Sequence, residues 1–314
     1  MRHTASAFAP TNIALCKYWG KRDTALNLPV TSSLSISLAD KGATTTISVH
    51  EEAQDIILLN GKVMATNEKL GKRVCQFLDL FRDGKKFHID MQINVPLAAG
   101  LASSACSFAS LVLALNDLLG WNLSARDLSI LARQGSGSAA RSLWQGFVEW
   151  HAGTRADGTD SFAEPIAVKW PELRVGLLIL SEKSKPIPSR EAMQRTVETS
   201  ALYKAWPQKV AHDLALLKRA IQEKNFSLLG ATAESNAMTM HATMLSAWPP
   251  VCYYLPETLT AMQKIWQLRS EGVDVYFTQD AGPNLKLLFL QKDQEAVLTQ
   301  FSAIEIVQPF TGVN

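Results

Sequence analysis

Only four cysteines occur in 314 residues, and Cys16, Cys75, Cys106 and Cys252 are scattered with no C-x-x-C pair. That leaves little for a disulfide framework and points to a reducing compartment. The six histidines show no H-E-x-x-H or related spacing, so no protein-held metal centre is expected. No stretch of eighteen apolar residues is present, which excludes a membrane-spanning helix. The first 21 residues contain no apolar core of signal-peptide length, so a cytoplasmic protein is expected. Charged residues make up 19%, the net charge is +2 and no five like charges run together, so nothing marks a nucleic-acid partner.

Two familiar nucleotide signatures are missing as well. The glycine-containing loop at residues 96–107, PLAAGLASSACS, is followed by no G-K-[ST], and no lysine lies between Lys86 and Lys169. Nor does it carry the G-x-G-x-x-G of a dinucleotide fold.

What is present around that loop reads strand, loop, helix. Phe87, Ile89, Met91, Ile93 and Val95 are apolar at every second position, the period of a half-buried strand. Beyond the loop, Phe108, Leu111, Val112, Leu115, Leu118 and Leu119 share one helical face, and Gly120 stands where a left-handed terminal glycine belongs. Ser103 or Ser104 can cap this helix, whose free N–H groups then face an anion. The segment is either a plainly capped helix or a phosphate cradle.

The chain is long for one core, so two domains are expected, divided near Pro171 into 1–170 and 171–314. Residues 33–38 and 44–49 alternate as two strands with Lys41-Gly42 as a turn. Residues 68–81 read as a helix, and Ser124 followed by Asp127 starts another. Residues 147–150 form a short strand before a polar loop at 151–161. The second half opens with a buried-type strand at 173–181. Helices follow at 189–199, 207–224, 227–240 and 256–271, then paired strands at 273–278 and 285–290, a helix at 294–301 and a strand at 304–307. Strands and helices without regular alternation predict an α+β fold.

Four clusters are chemically suggestive. Lys17, Lys21 and Arg22 flank Tyr18 and Trp19, forming either an exposed basic edge or an anion site walled by aromatics. The serine–glycine loop is the second. In the third, GSGSAARS (residues 135–142), Gly135 and Gly137 permit a nest of N–H groups and Arg141 offers a planar fork to phosphate or carboxylate; a flexible turn is the alternative. In the fourth, QDAGPN (residues 279–284), Asp280 is either a turn former or an ionised carboxylate aimed at a substrate hydroxyl. Arg190 at a helix start opposes the macrodipole, which is consistent with service to a ligand.

Together, APTNIALCKYWGKRD, TSSLSISL, PLAAGLASSA, RQGSGSAARSLWQGFVEW, WPELRV, VETS and DAGPN resemble, in order and over nearly the whole chain, the GHMP small-molecule kinase superfamily and, within it, the diphosphomevalonate decarboxylase family. The resemblance implies a two-domain fold with a ribosomal-protein-like, ATP-binding first domain (1–170) and a ferredoxin-like second domain (171–314) around a deep cleft. It implies ATP-dependent decarboxylation of mevalonate 5-diphosphate to isopentenyl diphosphate, ADP, phosphate and carbon dioxide, with Mg2+ on the nucleotide. A mevalonate 3-kinase or a monophosphate decarboxylase of the same superfamily is the near alternative. A nucleotide-binding scaffold without chemistry is the distant one.

By that resemblance Asp280 acts on the 3-hydroxyl, Lys17 keeps it ionised, and Arg141, oriented by Asn12, holds the substrate carboxylate and diphosphate. Tyr18, Trp19, Gly20, Lys21, Ser136, Gly137, Ser138, Ala139, Ala140, Ser189, Arg190 and Met193 form the diphosphomevalonate pocket. Ala99, Gly100, Leu101, Ala102, Ser103 and Ser104 meet the ATP phosphates, Ser104 nearest the transferring group, with Lys69 and Lys183 on the nucleotide side. A homodimer is also implied.

Overall fold

A computed structural model describes residues 3–51, 53–95 and 103–310, apart from the Lys69 side chain. In chain order come β1 (Thr4–Cys16), the small hairpin β2 (Lys21–Asp23) and β3 (Leu28–Pro29), and the long strand β4 (Ser33–His50). Then follow β5 (Ile56–Leu59), β6 (Lys62–Met64), α1 (Lys69–Leu78), β7 (Lys86–Ile93), α2 (Ser103–Leu119) and α3 (Ala125–Gly135). A 3-10 turn (Gly137–Arg141) leads to β8 (Phe147–Trp150) and β9 (Ala163–Pro165). The remainder is β10 (Leu173–Leu178), α4 (Ser189–Thr199), α5 (Trp206–Gln222), α6 (Phe226–Leu245), α7 (Pro256–Ser270), β11 (Val275–Gln279), β12 (Leu285–Leu290), α8 (Gln294–Gln300) and β13 (Glu305–Val307). The expected α+β class is what the molecule has.

Residues 33–50 do not form the hairpin that their turn-like Lys41-Gly42 predicts. They run on as β4, which pairs along one edge with β1 and along the other with β8 and then β7. The glycine serves a different need. A Cβ on Gly42 would lie 2.1 Å from the Ala9 carbonyl oxygen, so the residue admits a crossing backbone rather than a chain reversal. The pairing shifts register between Pro10 and Asn12 opposite residues 37–42 and again between Ala14 and Cys16, irregularities that bend the strand while it stays paired with β4 as far as Cys16.

The seven-stranded sheet is antiparallel except where β5 joins β7. α2 packs on β1 and β4, and is buried almost all round. Its small residues allow a direct hydrogen bond to the sheet, Thr45 Oγ1 to Ser110 Oγ at 2.7 Å. Its end follows the expected pattern. Gly120 is left-handed at φ 66°, and the Trp121 N–H reaches back to the Asn116 carbonyl. At its start, Ser103 and Ser104 both have helical backbone, so neither caps it. At α3 the side chain of Ser124 does cap, accepting from the Asp127 N–H at 3.2 Å.

The second sheet, β11-β12-β10-β13, is wholly antiparallel. Along β12, Leu285, Leu287 and Phe289 pack outward with residues of α7 and α8, while Leu288 faces inward to a larger core. That core joins Ile13 and Leu15 of β1, Leu34 and Ile36 of β4, Trp206 of α5 and Leu229 of α6. The two sheets thus share apolar packing, and the last residues of β1 are held between them. Among the described residues no helix is long and apolar enough to cross a membrane.

Candidate active site

The bend at the end of β1 carries Lys17 into the interior, where it is 1% exposed. It is no part of an exposed basic edge. Its main-chain N–H donates to Asn236 Oδ1 at 2.8 Å, and its ammonium donates to the Ala14 carbonyl and to Asp280 Oδ1, both at 2.7 Å. Asp280 lies just beyond β11, and its second oxygen, Oδ2, is 3.4 Å from the ammonium of Lys286 on β12. Burial pushes the Asp280 carboxyl up, but Lys17 and Lys286 outweigh it and hold the group well below the usual carboxylate range. Lys17 also moves down, to about 8, because burial costs its ammonium more than a carboxylate shared with Lys286 returns. Asp280 is therefore ionised at neutral pH, and its side chain keeps 24% exposure, toward a cleft.

That cleft has a volume of about 650 Å³. One wall is the 3-10 turn after α3. Arg141, 2% exposed, directs Nε and Nη2 to Asn12 Oδ1 at 3.3 and 3.2 Å and Nη1 to Ser33 Oγ at 2.6 Å. Asn12 is held in turn by donating to Ser142 Oγ at 2.7 Å and the Ser138 carbonyl at 3.2 Å. Gly137 sits against Tyr18 and Trp150, where a Cβ would meet the Tyr18 ring at 2.8 Å and Trp150 at 3.0 Å. Tyr18 Oη and Trp19 Nε1 are buried with no partner among the described residues, and both residues line the cleft. Buried donors left open in this way call for a ligand's acceptors.

The start of α2 meets this turn, with Ser104 Oγ within 3.2 Å of Ser136 Oγ, which is 3.4 Å from Ser138 Oγ. Ser103 also lines the cleft, as do Ser189, Arg190 and Met193 of α4. Lys21 enters beside them, donating to Asn27 Oδ1 at 2.5 Å. Burial, with Arg190 and Arg73 nearby, pushes its ammonium down to about 8. Arg73 of α1 and Lys185 line the cleft as well. Among the described charged lining residues, six are cations (Lys17, Lys21, Arg73, Arg141, Lys185 and Arg190), and Asp280 alone is an anion. The arrangement suits a polyanion bearing a group that a carboxylate can receive.

Not every expected contact reaches the cleft. Gly20 has φ +114° and is pressed on Tyr203, whose hydroxyl would lie 1.7 Å from an added Cβ, so it shapes the bend rather than the wall. Ala139 and Ala140 are wholly buried in packed cores. Lys183 is exposed and does not line the cleft, whereas Lys185 does, donating to Ser189 Oγ at 2.6 Å and the Ala281 carbonyl at 2.9 Å. Arg22 turns to the 151–161 loop, donating to the Arg155 carbonyl at 3.0 Å. Ala99, Gly100, Leu101 and Ala102 lie outside the described residues, as does the Lys69 side chain.

Lys286, Asn236 and Arg73 are absent from the residues read as functional in the sequence. Lys286 had a usable signal, a lysine inside the apolar strand run LKLLFL, because a buried ammonium requires a partner.

Comparison with known proteins agrees with this geometry. A family model of the diphosphomevalonate decarboxylase-like N-terminal domain matches residues 9–163, and one of the mevalonate 5-diphosphate decarboxylase C-terminal domain matches residues 175–309. Diphosphomevalonate decarboxylase mvd1 of Aspergillus fumigatus is 39% identical over 327 residues, covering 96% of this chain and 80% of its own. A solved complex of MDDEF with MVAPP, AMPPCP and magnesium superposes with TM-score 0.91 at 41% identity, covering 98% of this chain and 97% of that one. The mevalonate diphosphate decarboxylase from Enterococcus faecalis, in a structure concerned with mevalonate diphosphate mediated ATP binding, gives TM-score 0.90 at 40% identity, with coverage of 98% and 97%.

Proposed function

The chain belongs to the diphosphomevalonate decarboxylase family, and we propose that it catalyses the ATP-dependent decarboxylation of mevalonate 5-diphosphate. The products are isopentenyl diphosphate, ADP, phosphate and carbon dioxide. The observation that carries this reading is the ionised Asp280, pinned at 2.7 Å by Lys17 and facing a cleft where, among the described residues, the other charged lining groups are all cations.

The chemistry follows from those residues. A tertiary hydroxyl is a poor leaving group, and transfer of a phosphoryl group from ATP to its oxygen turns it into a good one. Asp280, held ionised, receives the hydroxyl and orients its oxygen for attack, and accepts its proton as the phosphoryl group arrives. Arg141 meets the substrate's carboxylate or diphosphate with its rigid fork. Departure of phosphate then draws the electrons of the C–C bond to the carboxylate into the new alkene, and carbon dioxide leaves. Lys21, Arg190 and the donors of Tyr18 and residues 136–138 are positioned for the diphosphate. Ser103 and Ser104, at the start of α2, are positioned for the ATP phosphates.

Mg2+ fits as a companion of the nucleotide rather than as a protein-caged ion. Among the described residues no three His, Cys, Asp or Glu side chains gather to hold a metal. The hard donors on the phosphate side are the hydroxyls of Ser103 and Ser104, which would hold it together with phosphate oxygens. When bound, it neutralises charge on the transferring phosphates.

We assign residues 1–170 to a nucleotide-binding domain and 171–314 to a second domain. The ending of one sheet at Pro165 and the start of the next at Leu173 support that division. The four unpaired cysteines support a cytoplasmic location, and the family resemblance supports a homodimer. Light scattering on the purified protein measures the latter directly.

The test is a coupled ADP assay with mevalonate, its 5-phosphate and its 5-diphosphate, trapping carbon dioxide. Equal amounts of ADP and carbon dioxide from the diphosphate alone are expected. ADP without carbon dioxide would make the protein a kinase, and equal turnover of the monophosphate would move the substrate assignment.

A further inference from the structure

Asp280 is gripped from two sides. Its Oδ1 takes a hydrogen bond from Lys17 at 2.7 Å, and its Oδ2 faces Lys286 at 3.4 Å. The two lysines arrive on different elements, one past the end of β1 and the other near the start of β12. Lys286 is 1% exposed and does not line the cleft. In register it stands opposite Thr278, whose hydroxyl donates to the Ala14 carbonyl, the same oxygen that accepts from Lys17.

A single lysine would satisfy one carboxylate oxygen and leave the group free to rotate about its Cβ–Cγ bond. Two lysines on opposite oxygens fix the carboxylate plane. A buried ammonium is costly and is kept only where a partner compensates it. In this position Lys286 does not reach the cleft, so it does not serve as a ligand contact. We propose that Lys286 is a positioning residue for the reaction, clamping the second oxygen of Asp280 so that the carboxylate presents one edge to the substrate hydroxyl. The proposal rests on the reading of Asp280 given above.

The charged and titratable groups facing this carboxylate are few. Lys17 comes from just beyond β1 and Lys286 from β12. His241 of α6 sits with Nε2 3.2 Å from the Asp280 carbonyl oxygen, and burial lowers it to about 3, so it stays neutral. Arg141 feels the carboxylate from the far wall. Lys185 bonds the next residue's carbonyl. Of these, Lys17 and Lys286 alone contact the carboxylate oxygens in ion pairs.

The experiment compares wild type with Lys286→Met, and with Lys286→Gln as a second variant that retains a donor without charge. Thermal melting identifies the folded variants. For each, kcat, KM for ATP and for mevalonate 5-diphosphate, and the pH dependence of kcat are measured. The expected result is a kcat lower by about 10-fold or more with both KM values within about twofold of wild type. The acid limb of the kcat profile moves to higher pH, because the carboxylate has lost one of two stabilising cations. A merely structural lysine would lower the melting temperature without moving that limb. A folded variant with wild-type kcat and an unmoved acid limb, or one altered only in KM, overturns the proposal. Wild type that releases no carbon dioxide overturns the functional reading instead, so the two failures are distinct.

Discussion

The ammonium of Lys17 and the carboxylate of Asp280 meet at 2.7 Å although 263 residues separate them in the chain. Replacing Asp280 with Asn keeps the shape and removes the charge. The amide can neither accept the hydroxyl proton nor neutralise the two lysines around it. Turnover is expected to fall by about 100- to 10,000-fold, with ATP affinity unchanged. Single-turnover ADP release and nucleotide titration read the two quantities separately. Equal turnover of variant and wild type would remove Asp280 from the mechanism.

Arg141 binds Asn12 and Ser33 through three separate nitrogens. Arg141→Ala is expected to abolish most turnover while ATP binding persists, the loss being about 3–5 kcal/mol when a buried charge partner is stranded. Arg141→Lys should not rescue it, because a point ammonium cannot reach both neighbours in one plane. An ATP affinity that falls as steeply as the rate would place Arg141 on the nucleotide instead.

Lys17 and Lys21 both sit near 8, pushed down chiefly by burial. Activity should therefore decline as pH rises through about 8. The stability change has the opposite sign. Between pH 8 and 10.5 the unfolded chain keeps the Lys17 proton that the folded chain has released, so this group makes folding more favourable as pH rises. A rate profile recorded alongside thermal melting separates the two. Loss of activity that tracks loss of fold would contradict this account.

Asn236, fully buried, links the Lys17 N–H to Asp213 Oδ2 at 2.8 Å, and Asp213 is paired with Lys209 at 2.6 Å. Asn236→Ala leaves a buried donor and a buried acceptor without partners, each costing about 1–3 kcal/mol. A lower melting temperature and a reduced kcat are expected together, measured by calorimetry and the ADP assay. An unchanged melting temperature would show that the bend after β1 does not depend on this contact.

Gly137 lies where any Cβ strikes Tyr18. Gly137→Ala should push the Tyr18 ring into the cleft at a cost of about 1–3 kcal/mol and raise KM for the diphosphate substrate more than for ATP. Equal effects on both would mean that the ring does not border the substrate side.

Where the sequence succeeded, short-range physics was at work. The terminal glycine of α2, the serine cap of α3 and the alternation of β7 are each decided by residues within a few positions. The Lys41-Gly42 turn failed because Gly42 answers to Ala9 and Pro10, more than thirty residues away. The basic edge failed for the same reason, since nothing near Lys17 in the chain shows that Asn236 and Asp280 surround it.

Residue types and their spacing thus carried the secondary structure and the family likeness, because helix and strand periods and caps are written locally. Which cations share a carboxylate was settled in three dimensions. A buried charge is stable only beside partners, and Lys17 and Lys286 reach Asp280 from separate elements that pattern alone does not bring together.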